Sequence, residues 1–374
     1  MKPQQPEAGE GNLLDRLRKS WFPAAAVVGA LASFIAAALR LRPEPGTVLQ
    51  TTEKPAPPVP PQQAGPNLPA GGFKREYRKS GSLVGGAAAQ QFRSSLAGIA
   101  VGPGDRVYAL GDGEIRTFEP GGSLVAVWKV VPNASCLAAG SDGHVCIGAP
   151  GRVEIYDPAG RHTGGFAAGE SAGRPAGITA VKWFRDEILA ADADARLIRR
   201  YDRHGKQLGL IGTKARAGSF ILPNGWLDFD VDAQGVIRAT DTGRHQVTAW
   251  ALDGTPLGSF GKFGMGNPED FVGCCNPVNV AVTHDGKIVT GEKMVARVKV
   301  YEPDGRLLAL IGPENFDPKC IHLHLAVDSK GWILVADPVR REVSRFFPVA
   351  EAADNAPLRD RETAGGIRQE YARI

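Results

Sequence analysis

Short strand-and-turn units recur along this chain, and that repetition restricts its fold more than any other feature. An aromatic-x-x-x-Gly turn stands at Tyr156–Gly160, Tyr201–Gly205, Trp250–Gly254 and Tyr301–Gly305, with Phe118–Gly122 as a first copy and Phe346 opening a degenerate sixth. Successive copies lie roughly 38 to 51 residues apart, the range of propellers and other repeat arrays. The fourth copy is the fullest: Leu222-Pro223-Asn224-Gly225, an apolar run Leu227 to Val231, the Asp232–Gly235 turn, Val236 to Ala239, Asp241-Thr242-Gly243, Val247 to Trp250, then Asp253-Gly254 before Leu257 to Gly261. Runs this short, separated by turn signals, favour small antiparallel sheets over alternating βαβ units. The expectation is an all-β, six-bladed β-propeller over residues 73–348, with a central channel.

A ring of blades must also close. The sixth copy ends at Phe346-Phe347-Pro348 without the final strand of the others, and Phe73 to Val84 is expected to supply it from the N-terminal side, removing an exposed edge.

Composition agrees with one large all-β domain plus appendages: 374 residues with 47 Gly and 28 Pro, 22% of them charged. A net charge of +4 argues neither for nucleic acid nor for an acidic substrate, and no nucleic-acid partner is expected. Residues 1–20 read as a cytoplasmic segment. Trp21 to Leu39 carries no charge, close to the roughly 20 residues a membrane-crossing helix needs. Residues 21–41 are therefore expected to be a signal anchor in the inner (cell) membrane, with a cleaved signal peptide ending near Ala36-Ala37-Ala38 as the rival. Residues 42–72, with Pro55, Pro57, Pro58, Pro60, Pro61, Pro66 and Pro69, read as an extended linker holding the propeller in the periplasm or cell exterior. Residues 349–374 read as a charged, Ala-rich tail.

Gly218-Ser219-Phe220, Pro223-Asn224-Gly225, Val231-Asp232, Gly235, Asp241 to Val247 and Leu257 to Gly261 together resemble an NHL repeat, and Tyr201–Gly212 and Tyr301–Gly312 resemble its closing part. The resemblance covers residues 90–348 and implies the propeller fold, not a function, because propellers serve many. Gly273-Cys274-Cys275-Asn276-Pro277 also resembles a signature of a bacterial, membrane-anchored subgroup of NHL-type propellers. That subgroup commonly has His where this chain has Asn279, so a ligand role there does not carry over.

Five cysteines are the most informative chemical residues: Cys136, Cys146, Cys274, Cys275 and Cys320. Aligning Asn279-Val280-Ala281-Val282 with His324-Leu325-Ala326-Val327 sets Cys275 opposite Cys320 on adjacent blades. Three readings stay open: a disulfide from Cys320 to Cys274 or Cys275, a zinc or copper site of Cys274, Cys275, Cys320, His322 and His324, and buried thiols beside a core histidine. Cys136 and Cys146 flank a turn on consecutive strands and read as core. Asn133, Asn224, Asp228, Asn276 and Asn279 fall near the starts of innermost strands, where oxygen ligands would suit calcium. Asn before Pro or Gly is equally ordinary turn chemistry. His245 reads as turn packing; His144, His162, His204 and His284 read as solvated turn residues. Arg196, Arg199, Arg200, Arg203, Lys206, Lys214 and Arg216 form a basic strip against Asp202, read as a solvated strand or as a surface for anionic lipid or an acidic protein.

The functional expectation is a protein-binding module. The alternatives are a metal-dependent lyase or lactonase at the channel mouth and an accessory subunit of a membrane redox complex.

Overall fold

The computed structural model describes residues 75–85, 90–171, 173–213 and 218–349. The expected segments 1–20, 21–41 and 42–72, and the tail from residue 350, lie outside the described residues. Among the described residues no helix is long and apolar enough to cross a membrane.

Six four-stranded antiparallel sheets follow one another along the chain. Blade 1 is Gly98–Val101, Val107–Gly111, Glu114–Phe118 and Leu124–Lys129; blade 2 is Cys136–Ala139, Val145–Ala149, Arg152–Tyr156 and His162–Ala167. Blade 3 is Ile178–Phe184, Glu187–Asp192, Leu197–Asp202 and Gln207–Ile211; blade 4 is Phe229–Val231, Ile237–Asp241, Gln246–Trp250 and Pro256–Phe260. Blade 5 is Asn279–Val282, Ile288–Glu292, Arg297–Tyr301 and Leu307–Ile311. Blade 6 takes His324–Val327, Ile333–Asp337 and Glu342–Pro348 from the end of the chain and its outermost strand, Tyr77–Val84, from the beginning. That strand pairs from Tyr77↔Pro348 to Val84↔Val343, and Glu342 accepts hydrogen bonds from Lys79 Nζ (2.8 Å) and Ser82 Oγ (2.5 Å) across the seam. The ring closes as its apolar remnants Leu83 and Val84 predict: both are buried.

The core is divided into layers between blades. Leu189, Ile198, Ile211, Leu227, Phe229 and Ile237 fill the space between blades 3 and 4, and Val298, Val300, Ile311, Leu323, Leu325, Ile333 and Phe346 that between blades 5 and 6. Middle strands are covered on both faces, so Ile288–Glu292 and Arg297–Tyr301 are buried at every position, whereas the outer strand Pro256–Phe260 is largely exposed. Burying each large apolar side chain contributes roughly 1.5–3 kcal/mol.

The aromatic-led turn has a physical reason. The aromatic residue ends the third strand just after a β-bulge, as at Ile155/Tyr156, Arg200/Tyr201 and Val300/Tyr301, and points into the inter-blade core. The turn glycine then meets an apolar side chain on the preceding blade's outer strand. A Cβ on Gly160, Gly205 or Gly305 would come 2.2, 2.3 or 2.5 Å from Trp128, Phe166 or Phe260, and all three glycines have positive φ. Only glycine satisfies both demands.

Antiparallel order sorts the connections onto two faces. Turns joining first to second and third to fourth strands share one face, here the turn face, with the entering Tyr77 and departing Pro348. Connections between blades, and between second and third strands, share the other, the loop face.

Candidate functional site at the channel mouth

Innermost strands surround the channel, and each begins at the loop face. All six blades line a cavity of about 30 Å³ there. Its lining is lopsided. Blades 1 and 2 give Ala97, Gly98, Ile99, Cys136 and Leu137; blades 3 to 6 add Ala180, Val181 and Leu325 and also supply Thr179, Lys182, Trp226, Asp228, Asn279 and His324. The volume suits water rather than an organic ligand, so a larger molecule would sit above it, at the mouth.

Asp228, just before the inner strand of blade 4, ties that blade to the next. Its Oδ2 accepts hydrogen bonds from Asn279 Nδ2 (2.9 Å) and Val280 N (3.1 Å), and its Oδ1 from Phe229 N (2.9 Å). Asp230 repeats the pattern one step deeper, accepting from Val282 N at 2.9 Å, and Lys182 Nζ stands 3.3 Å from its Oδ1. Burial raises the Asp228 pKa to about 6, with the Lys182 charge and the bonds from Asn279 and Val280 working the other way. Burial lowers the Lys182 pKa, but Asp230 and Asp228 together outweigh it, and the net shift is upward.

His322 and His324 come from blade 6. The Trp226 ring packs at 4.0 Å from His322 and 6.1 Å from His324, and the two imidazoles are 6.4 Å apart. Burial pulls their pKa values down to about 4 and about 3, with further lowering from Lys293 at His322 and from His322 at His324, so both rings are neutral at pH 7. Four buried polar atoms around them have no hydrogen-bond partner: Trp226 Nε1, Asn224 Nδ2, His322 Nδ1 and Asn279 Oδ1. Unpaired groups of this kind mark places where water or a ligand is taken up.

The expected calcium or zinc does not fit this donor set. Both Asp228 oxygens are committed to amide hydrogens, and a divalent cation would face the Lys182 ammonium. Among the described residues no three His, Cys, Asp or Glu side chains converge around one point.

The expected five-residue thiol and histidine cluster comes apart. All five cysteines are free, so no disulfide joins the blades. Cys320 is buried beside Leu323 and Phe316, and its thiol donates to His322 O at 2.9 Å. Burial, reinforced by Asp337, pushes its pKa to about 12. The blade alignment is right in register, since Asn279–Val282 and His324–Val327 are equivalent inner strands, but strand equivalence does not fix where preceding loop side chains point. Cys274 is exposed and Cys275 partly so. Asn276 is wholly buried and spends its amide on Val272 O, Lys293 O and Lys293 N, which makes it a loop latch rather than a ligand. Asn133 is an exposed left-handed turn residue away from the lining, and Asn224 accepts from Thr242 Oγ1 at 2.9 Å.

Other expectations fare unevenly. Cys136 and Cys146 are buried core residues paired with Gly148 and Ala138, not with each other. His245 packs its ring 5.2 Å from Phe263 in a turn. His162 is exposed as expected but opens a strand rather than lying in a turn, and its Nε2 lies 2.6 Å from Oε2 of buried Glu154. The basic strip is largely neutralised, with Arg199 on Asp192 (2.8 Å), Arg200 on Glu187 (2.6 Å) and Arg203 on Asp142 (3.0 Å). Those acids come from neighbouring strands and turns, so a linear count could not see them; Lys214 and Arg216 lie outside the described residues. Sequence reasoning missed Trp226, Lys182 and Asp230. A lysine inside the otherwise apolar run Ile178–Phe184 was the available signal.

No protein-family model matches the chain. Several solved structures share its fold. Streptogramin B lyase aligns with a TM-score of 0.52 at 10% identity, over 74% of this chain and 99% of that one. A gluconolactonase, XC5397 from Xanthomonas campestris, aligns with a TM-score of 0.52 at 16% identity, over 76% and 98%. A protein of unknown function from Bacteroides thetaiotaomicron gives a TM-score of 0.53 at 13% identity, over 74% and 76%. Identities this low establish the propeller fold and nothing narrower.

Proposed function

We propose that the protein is a membrane-tethered, extracytoplasmic propeller that recognises a protein partner with its loop face over blades 4 to 6. One observation carries the reading. Among the described residues, every exposed large apolar side chain in a connection lies on the loop face: Ile221, Phe263, Met265, Met294, Ile321 and Val339. Met265, Ile321, Met294 and Phe263 are 67, 63, 61 and 56% exposed. The rest of that exposed set sits on outer strands, and none is in the turns of the opposite face. Apolar groups gathered on one face of a soluble domain, with Met and aromatic residues prominent, are typical of interaction surfaces.

The test uses the full chain in its own cells, with a photo-crosslinking amino acid at Met265, at Ile321 or at Gln234 on the turn face. A discrete protein adduct from the first two sites and none from Gln234 is expected. Equal labelling from all three, or none, overturns the docking reading. The tether rests on the uncharged run Trp21 to Leu39 and the proline-rich run at 42–72. A C-terminal alkaline phosphatase fusion should be active, and an inactive fusion beside an active cytoplasmic reporter reverses the orientation.

A second reading, a lyase or lactonase at the channel mouth, is favoured by the neutral His322, whose Nδ1 lacks a partner beside the unpaired Trp226 N–H. A neutral imidazole there can accept a proton from a bound substrate. Hydrolysis of gluconolactone above the spontaneous rate, lost in His322→Ala, would replace the docking reading with this one.

A further inference from the structure

We propose that Cys274, Cys275 and Met294 form a binding site for copper(I), two thiolates and a thioether held together at the loop face of blade 5. The site is distinct from the channel mouth and shares Met294 with the proposed docking face.

Proximity comes first. The two thiols are adjacent in the chain and form no disulfide. Met294 belongs to the turn between the second and third strands of blade 5, and its Sδ lies over the backbone just before the thiols. A Cβ placed on Gly273 would come 2.6 Å from that sulfur. The lack of a side chain at Gly273 is what lets the thioether approach.

Backbone conformation supplies an independent observation. Cys275 has φ 61° and Met294 has φ 71°, both in the left-handed region that side-chain-bearing residues rarely adopt. The turn position of Met294 is left-handed in neighbouring blades too, at Arg196, His245 and Arg341. Only in blade 5 does that position carry sulfur. Cys275 has no such counterpart among the left-handed residues of the other inter-blade loops, where Asn133 is the other non-glycine example. An unfavourable conformation persists where the surroundings over-determine it, and it gathers at functional sites.

Those surroundings are unusually rigid. The three hydrogen bonds of buried Asn276 join the Cys-Cys loop to Lys293, directly beside Met294. Glu292 accepts from Val272 N at 3.1 Å and pairs with Arg297 (3.0 Å) and Lys299 (2.8 Å), all three being fully buried. Arg297 and Lys299 in turn donate to Asp270 O, and Lys299 also to Pro268 O. The loop bearing the thiols and the turn bearing the thioether are thus one pinned unit, as a preorganised site requires.

The chemistry selects the ion. Thiolate and thioether sulfurs favour soft copper(I), whereas a closed zinc site takes four nitrogen or sulfur ligands. Among the described residues no third His, Cys, Asp or Glu joins the two thiols. Binding displaces one proton from each thiol into water, and copper–sulfur bonds take the place of the two S–H bonds.

The test is anaerobic titration of the reduced full chain with copper(I) in competition with bicinchoninate, alongside zinc. One copper(I) per chain should be withheld from the chelator, with an ultraviolet thiolate-to-copper band. Cys274→Ser and Cys275→Ser should abolish retention, and Met294→Leu should weaken it by roughly tenfold, the lower end of what changes around a metal's ligands cost. Cys320→Ser should bind as the native protein does, separating this site from the buried thiol. The proposal is overturned if bicinchoninate keeps all the copper, if the Cys274 and Cys275 variants still retain it, if Met294→Leu binds unchanged, or if zinc is held as tightly.

Discussion

The two faces of this propeller are built on different principles. On the turn face one device recurs: an Asp carboxylate accepts from backbone N–H groups two and four residues on. Asp157 does so from Ala159 and Arg161, Asp202 from His204 and Lys206, Asp232 from Gln234 and Val236, and Asp328 from Lys330 and Trp332. A positive-φ glycine follows in the same turns, at Gly160, Gly205, Gly235 and Gly331. The loop face has no such uniformity. Residues 130–135 suffice between blades 1 and 2, whereas 212–228 and 261–278 lead into blades 4 and 5. It is there that the exposed apolar side chains of the connections, the accessible thiols and the unpaired groups of Trp226, Asn279 and His322 lie. Repetition serves closure and packing on one face, and departure from repetition makes sites on the other.

Five substitutions test that contrast. The largest effect is expected where a loop is anchored by buried charge: Glu292→Ala leaves Arg297 and Lys299 without their carboxylate and should cost about 3–5 kcal/mol, read by chemical denaturation. A loss below 1 kcal/mol would mean the long loop does not depend on this network. On the turn face, Gly160→Ala drives a Cβ into Trp128 at a positive φ, and overpacking of this kind costs about 1–3 kcal/mol. Gly121→Ala, beside another such turn, with no heavy atom near its Cβ and no positive φ, should be nearly silent. Equal losses from the two would refute the inter-blade contact as the cause.

A smaller effect is expected from pH at the channel mouth. The folded pKa values of His322 and His324, about 4 and about 3, lie below the ordinary 6.5, so the unfolded chain binds more protons between these limits. Stability contributed by the neutral rings is complete above pH 6.5 and falls as pH drops toward 4. Asp228, with its pKa raised to about 6, acts in the opposite sense, its contribution fading as pH rises from about 4 to 6. His324→Gln should therefore lose less stability than the native protein between pH 7 and pH 5; an identical loss would show that the ring is not held neutral by burial. The smallest change belongs to the apolar loop-face residues: Ile321→Ser should alter stability by less than about 0.5 kcal/mol while removing the crosslinked partner. Marked destabilisation would place Ile321 in the core instead.

How much was legible in advance follows the same division. The turn signals at Tyr156–Gly160 and Trp250–Gly254, the paired inner strands and the closing strand from the N-terminal side could all be read from the chain, because each is a local pattern enforced by packing in every blade. Asp228 and Asn279 were placed near the channel for the same reason. The Cys320 to Cys275 pairing failed, because side-chain direction in a loop depends on what latches it, here Asn276 and the Glu292 network. The basic strip was read as free charge, because its acids arrive from strands that only the sheet brings alongside.

Sequence alone therefore determined the number of blades, their order and the inner strands of blades 4 to 6, since hydrophobic periodicity and turn chemistry act over a few residues. Tertiary structure decided which polar atoms at the mouth go unpaired, that His322 and His324 share Trp226, and that a thioether two strands away lies over Gly273, next to two thiols. Those are long-range coincidences of loop geometry, and no local spacing rule encodes them.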